Sequence, residues 1–199
     1  GEGYFFETLA TFSDQTGEVI GTQRFRVLKF MPPEGSVGGA MAFEPPDPGE
    51  LLPAPAPRED TLGCADIAVG DTLPALQIPV STGLIVGAAL ATRDFEKVHH
   101  DKAVAQSTGL PDVFMNILTS QGLMTRFVTD WSGPEATVKA LSIKLGAPNL
   151  PGMVMTISGE VSTVDPDSNT VEVRVKGDNN AWGNHMSGTV TLALPGGDA

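Results

Sequence analysis

The chain predicts an α+β domain in which one antiparallel sheet wraps one long helix, and three features of the sequence carry that prediction. Phe114, Ile117, Leu118, Met124, Phe127 and Val128 recur near helical spacing and form one broad apolar stripe. Strand-like runs follow to the end of the chain, at 136–145, 153–164, 170–177 and 186–194. Ahead of the helix, eight prolines between Pro32 and Pro57 set a first segment apart from the rest. A long helix followed by consecutive strands buries its stripe most simply under a sheet made of those strands.

Taken in order, residues 4–12 and 19–30 read as two strands joined by the turn SDQTGE. Thr8, Ala10 and Phe12 share one face of the first strand, and Phe25 and Val27 alternate with Arg24 and Arg26 on the second. A hairpin of two strands is marginal alone, so residues 1–31 are expected to dock on something else. Residues 32–66 are expected to be linker, because proline removes amide donors and glycine raises the cost of order. Cys64 lies within it, and an exposed thiol without a partner is expected to be incidental. Residues 67–197 then form the main domain. VGDTLPALQIPVS reads as extended, and TGLIVGAALA as a short apolar helix or strand. A loop carrying Asp94 and His99 leads to a short helix from about Lys102, then to the long helix, with Asp112 after Pro111 as its expected N-cap. Turns are expected at Asn149–Gly152 and Asp165–Asn169.

The 199 residues are 41% hydrophobic, enough for one sizeable core and too apolar for a chain disordered throughout. No apolar run approaches the roughly 20 residues of a membrane span, and the start has no basic-then-apolar leader. A formal charge of −12 argues against nucleic acid, whose phosphates reward Lys and Arg. It leaves room for an anionic ligand held by a local basic patch. The single cysteine excludes an internal disulfide and any multi-cysteine zinc site, so the expected compartment is the cytoplasm.

The chemistry of the chain concentrates at Asp94 and His99. A carboxylate and an imidazole joined by a loop can share a water, and imidazole titrates near operating pH. The plain alternative is a surface loop whose Asp caps a turn and whose His is solvated. His99, His100 and Asp101 do not make a convincing metal set, since adjacent histidines diverge and only His185 remains elsewhere. Asp165, Asp167 and Asn169 resemble the start of a calcium loop, but Thr170 and Lys176 stand where that loop needs Gly and Glu. Gly83 and Gly87 lack nucleotide-loop spacing. The polar stretch 177–185, with Trp182 and His185, reads as a wide turn or the rim of a pocket.

These residues resemble the MaoC-like hydratases and dehydratases of the hotdog fold. The family pattern Asp-x-Asn-Pro-x-His-x-Asp is met here by Asp94, His99 and Asp101, with Glu96 and Lys97 in place of Asn-Pro. Ala103 and Ala105 follow, Met115–Leu118 match the start of the central helix with Asn116 where glycine is usual, and Leu150–Met153 and Ser158–Val161 match the next strand. The similarity spans about 69–195, and its wording is most like subunits that hydrate steroid side-chain enoyl-CoA. The opening hairpin resembles the last two strands of a second, incomplete hotdog of the partner type.

The resemblance implies reversible addition of water to the α,β-double bond of a bulky acyl-CoA. It implies Asp94 and His99 as the catalytic pair and backbone amides at Asn116 and Ile117 for the thioester oxyanion; Thr119, Ser120 and Gln121 are candidates to hydrogen-bond near substrate, with solvated or buried-polar roles equally open. No metal and no cofactor beyond the substrate's own CoA are implied. The partners implied are an acyl-CoA and a second hotdog subunit, in a homodimer or a heteromer. A hotdog thioesterase is a competing reading, weakened because no carboxylate lies between Phe114 and Val128. An acyl-binding subunit without turnover is the other.

Overall fold

The computed structural model describes residues 3–30 and 42–196, so linker positions 32–41 and the last residue of the expected domain lie outside the described residues. The chain divides into two compact units, the N-terminal hairpin and everything after the undescribed stretch. In the hairpin, β1 (Gly3–Ser13) pairs antiparallel with β2 (Val19–Phe30), with Phe6 opposite Val27 and Thr8 opposite Phe25. Asp14 organises the turn: one carboxylate oxygen accepts from the Thr16 amide at 2.8 Å and the Glu18 amide at 3.0 Å. Tyr4, Phe6, Phe12 and Phe25 stay exposed along one face of the ribbon.

The second unit is built on a five-stranded antiparallel sheet. Its strands are β3 (Thr72–Pro79), β4 (Thr137–Leu145), β5 (Val154–Asp165), β6 (Thr170–Asn179) and β7 (Gly183–Ala193), in the order β3-β5-β6-β7-β4. Side chains alternate faces, and β6 shows why the sheet has one dry side: Val171, Val173 and Val175 are buried, whereas Arg174 and Lys176 reach solvent. The dry side holds the long helix α3 (Ile117–Ser132), which follows the short helices α1 (Thr82–Ala91) and α2 (Lys102–Ser107). Met124, Phe127 and Val128 of α3 are buried, each stabilising the fold by about 1.5–3 kcal/mol. Helix and sheet approach closely at Gly159, where a Cβ would lie 2.8 Å from the Phe127 ring.

Residues 42–66, expected as linker, hold no strand, and their one regular element is a single 3-10 turn at Cys64–Asp66. They nevertheless run along the domain as an extended strap. Phe43 packs on Trp182 with centroids 5.1 Å apart. The Leu52 amide donates to the Gln77 side chain at 2.8 Å. The Arg58 and Leu62 amides donate to the carbonyls of Asp130 and Ser132, each at 2.9 Å, in the last turn of α3. Prolines leave the strap few donors, and these spaced amides suffice to seat it. Cys64 is half-buried rather than exposed, and burial pushes its thiol up.

Two local expectations change. The long helix begins at Ile117, not after Asp112, because residues 113–116 are pulled out straight by bonds to neighbouring segments: the Met115 amide reaches the Asn149 carbonyl at 3.0 Å. Asp112 instead pairs with Lys102 at 2.7 Å. The stretch 177–185 is not a wide loop, since β6 and β7 run through it and leave only a tight turn.

The strap meets α3 at Gly133, which ends the helix with φ of 100°. A Cβ there would lie 2.3 Å from the Asp60 carbonyl oxygen. Gly133→Ala is therefore expected to destabilise the fold by about 1–3 kcal/mol, from left-handed strain plus displacement of the strap. Urea unfolding monitored by tryptophan fluorescence measures it.

Candidate active site

Three short segments bring Asp94 and His99 together. Helix α1 starts at Ser81, whose hydroxyl accepts from the Leu84 amide at 3.0 Å, and ends at Thr92. Arg93 then adopts φ of 58°, a left-handed conformation uncommon for a side chain of its size. That turn folds the chain back so that the Asp94 amide donates to the Ala89 carbonyl at 2.9 Å. His99 closes a 3-10 turn at Lys97–His99. Asp101 caps α2, its carboxylate accepting from the amides of Ala103 at 3.0 Å and Val104 at 3.2 Å. His100 is exposed.

The resulting pair has defined geometry. Asp94 Oδ2 lies 3.5 Å from His99 Nε2. The other imidazole nitrogen, Nδ1, is 2.7 Å from the Phe114 carbonyl oxygen. A carbonyl only accepts, so Nδ1 carries the proton of the neutral ring and Nε2 presents its lone pair toward Asp94. The Phe114 ring meets the imidazole edge-on at 4.8 Å and 72°. His99 is buried, and the Asp94 side chain keeps 21% of its surface exposed. Two acceptors at this separation lie within reach of one water molecule.

Asn116 joins this pair to the start of α3. Its Oδ1 accepts from the Thr119 amide at 2.9 Å, the N-cap bond of the helix, and from the Thr119 hydroxyl. Its Nδ2 donates to Asp94 Oδ2 at 2.9 Å and to the Thr92 hydroxyl at 3.1 Å. Among the described residues nothing accepts from the amides of Asn116 and Ile117, the two expected to face an oxyanion. Thr119, expected near substrate, is buried with its hydroxyl committed to Asn116. Gln121, two residues further along α3, is half-buried, and its side chain makes no hydrogen bond among the described residues. The side chains of Asn116 and Thr92 escaped the sequence reading. The capping preference of Asn was the available signal, and Asp112 drew it away.

Behind the helix start lies a second buried imidazole. The β6–β7 register passes from Gly177 opposite Met186 to Asp178 opposite Asn184, leaving His185 as the extra residue of a bulge. His185 therefore points inward beside Met186, both fully buried. Its Nδ1 donates to the Ala147 carbonyl at 2.8 Å, so Nε2 accepts from the Ser120 hydroxyl at 2.8 Å. Burial holds His185 below its ordinary pKa, with the Ala147 carbonyl acting weakly in the other direction. Asn179 supports the same corner by donating to Asn149 at 3.1 Å.

No family model matches the chain. It is 44% identical over 126 residues to the 3-oxo-4,17-pregnadiene-20-carboxyl-CoA hydratase beta subunit of Mycobacterium tuberculosis, covering 63% of this chain and 95% of that protein. In the crystal structure of the ChsH1-ChsH2 complex from Mycobacterium tuberculosis, one chain is similar at TM-score 0.62 and 43% identity, over 64% of this chain and 98% of that one. A MaoC-like dehydratase is similar at TM-score 0.77 and 23% identity, over 96% of this chain and 65% of that one, a likeness of fold alone. Among the described residues no helix is long and apolar enough to cross a membrane.

The lowered pKa of His185 has a stability consequence of definite sign. An unfolded histidine gains a proton as pH falls through about 6.5, and the folded one resists it. The stability His185 contributes is thus present above that pH and is lost on acidification toward its folded pKa. Urea titrations from pH 7 to about 5 are expected to show the wild type losing stability more steeply than His185→Asn, by at most about 1.4 kcal/mol per pH unit for one proton. Equal slopes would mean that His185 does not titrate differently on folding.

Proposed function

This chain belongs to the MaoC-like hotdog-fold family of enoyl-CoA hydratases and dehydratases, and we propose that its reaction is hydration of a bulky, steroid side-chain enoyl-CoA. The observation that carries the proposal is the Asp94–His99 pair, 3.5 Å apart, with the imidazole proton committed to the Phe114 carbonyl. That leaves two acceptors for one water. Conjugation to the thioester makes the β-carbon electrophilic. Water oxygen bonds to the β-carbon, one water proton passes to the pair, and a proton is returned to the α-carbon. The sum is H and OH added across the double bond, with no change of redox state, so the step calls for no electron carrier.

Negative charge builds on the thioester oxygen during the attack. The Asn116 and Ile117 amides, at the positive end of a helix of 16 residues, are the donors assigned to it. One such donor is worth roughly 3 kcal/mol of barrier. The steroid side chain is proposed from the name of the relative that is 44% identical. Pairing with another hotdog subunit is supported by the similarity to a chain of a two-protein complex. A cytoplasmic setting belongs to the same proposal.

The test is loss of conjugated-thioester absorbance with trans-2-octenoyl-CoA and with a steroid side-chain enoyl-CoA, the second expected to give the higher kcat/KM. Asp94→Asn and His99→Ala are each expected to lower kcat by about 10²–10⁴. Release of free CoA thiol at the same rate as the absorbance change would mark a thioesterase instead.

A further inference from the structure

We propose that Asn116 is a positioning residue for this reaction, its side chain holding the Asp94 carboxylate in the orientation that faces His99. The inference rests on the hydratase reading above and concerns an atom that reading does not use. Asp94 Oδ2 is both the oxygen nearest His99 and the one that accepts from Asn116 Nδ2 at 2.9 Å. Among the described residues the other oxygen accepts only from the Glu96 amide, at 3.4 Å. A carboxylate's terminal torsion is broad, so one good donor decides which way it points.

Asn116 is itself locked. Its Oδ1 takes both Thr119 donors, and its Nδ2 gives to Asp94 and Thr92. The Thr92 hydroxyl sends its own hydrogen to the Ala88 carbonyl at 2.8 Å, so it is free to accept from Asn116. Flipping the amide would set its oxygen against a carboxylate and its NH2 against an N–H. The orientation is therefore forced by its partners. With Asn116 only 2% exposed, no bulk water replaces any of these bonds. Capping alone would be served as well by Ser or Asp. Donating toward Asp94 while capping needs a side chain that does both at this reach, and the amide of asparagine meets that need.

The test uses Asn116→Asp and Asn116→Ser in the full chain. Both keep a capping acceptor and leave the backbone amides in place. The first removes the donor without changing shape, and the second removes it without adding charge. With trans-2-octenoyl-CoA, each is expected to lower kcat at least tenfold with KM within threefold; the melting temperature stays within a few degrees for Asn116→Ser and falls further for Asn116→Asp, which sets a second carboxylate against Asp94. In an Asp94→Asn background, adding Asn116→Ser is expected to cost less than a further twofold, because both changes act on the same carboxylate. Wild-type kcat in both variants, or a second tenfold loss in the Asp94→Asn background, overturns the proposal. Should the wild type itself not turn over, the hydratase reading fails. The crystal structure of Asn116→Ser then decides the positioning separately: an Asp94 carboxylate rotated away from His99 supports it, and one still facing His99 overturns it.

Discussion

The bond from His99 to the carbonyl of Phe114 is the interaction on which the rest of the site depends. It fixes the imidazole tautomer, so the free nitrogen faces Asp94 rather than the core. It also claims a backbone carbonyl just before α3. Together with the Met115–Asn149 bond it keeps residues 113–116 extended, so α3 begins at Ile117 with Asn116 as its cap. One hydrogen bond thus sets both the chemistry of the ring and the register of the helix end beside it.

Everything behind that corner serves to hold it still. The bulge at His185 drives an imidazole into the core, where it ties Ser120 of α3 to the loop at Ala147. The Asn149–Asn179 pair braces the loop that receives Met115. Such buried polar groups are tolerable because each has its partner, and a satisfied network is rigid where a purely apolar core would slide. At the other end of α3 the proline-rich strap clasps the last turn through the Arg58 and Leu62 amides. The helix is held at both ends and pressed on the sheet through Met124, Phe127 and Val128.

Much of this was legible in the sequence because it follows from short periodicities. Alternation placed the strands of the sheet within a few residues of their ends, and the apolar stripe located α3. Asp94 and His99 stood out because a carboxylate and an imidazole close in sequence are residue types able to share and move a proton. What escaped depends on contacts far apart in the chain. The helix start was misplaced because two equally good caps, Asp112 and Asn116, compete, and the bonds that choose between them come from His99 and Asn149. Ser120 is a candidate near substrate and His185 is expected in a wide turn or pocket rim, but a register slip of one residue turns His185 inward to meet Ser120. Proline-rich composition marks the absence of regular structure in 42–66, and it is silent about the packing that seats the strap.

Four positions, Thr92, Asp94, Asn116 and Thr119, close a circuit in which every donor and acceptor of the Asn116 side chain is already spoken for. A circuit of that kind has no spare valence, so natural drift at any one member leaves an orphaned polar group in a dry place. Substitution there is expected to be concerted across related chains, whereas the solvated residues between them, Phe95 to Lys97, are free to wander one at a time.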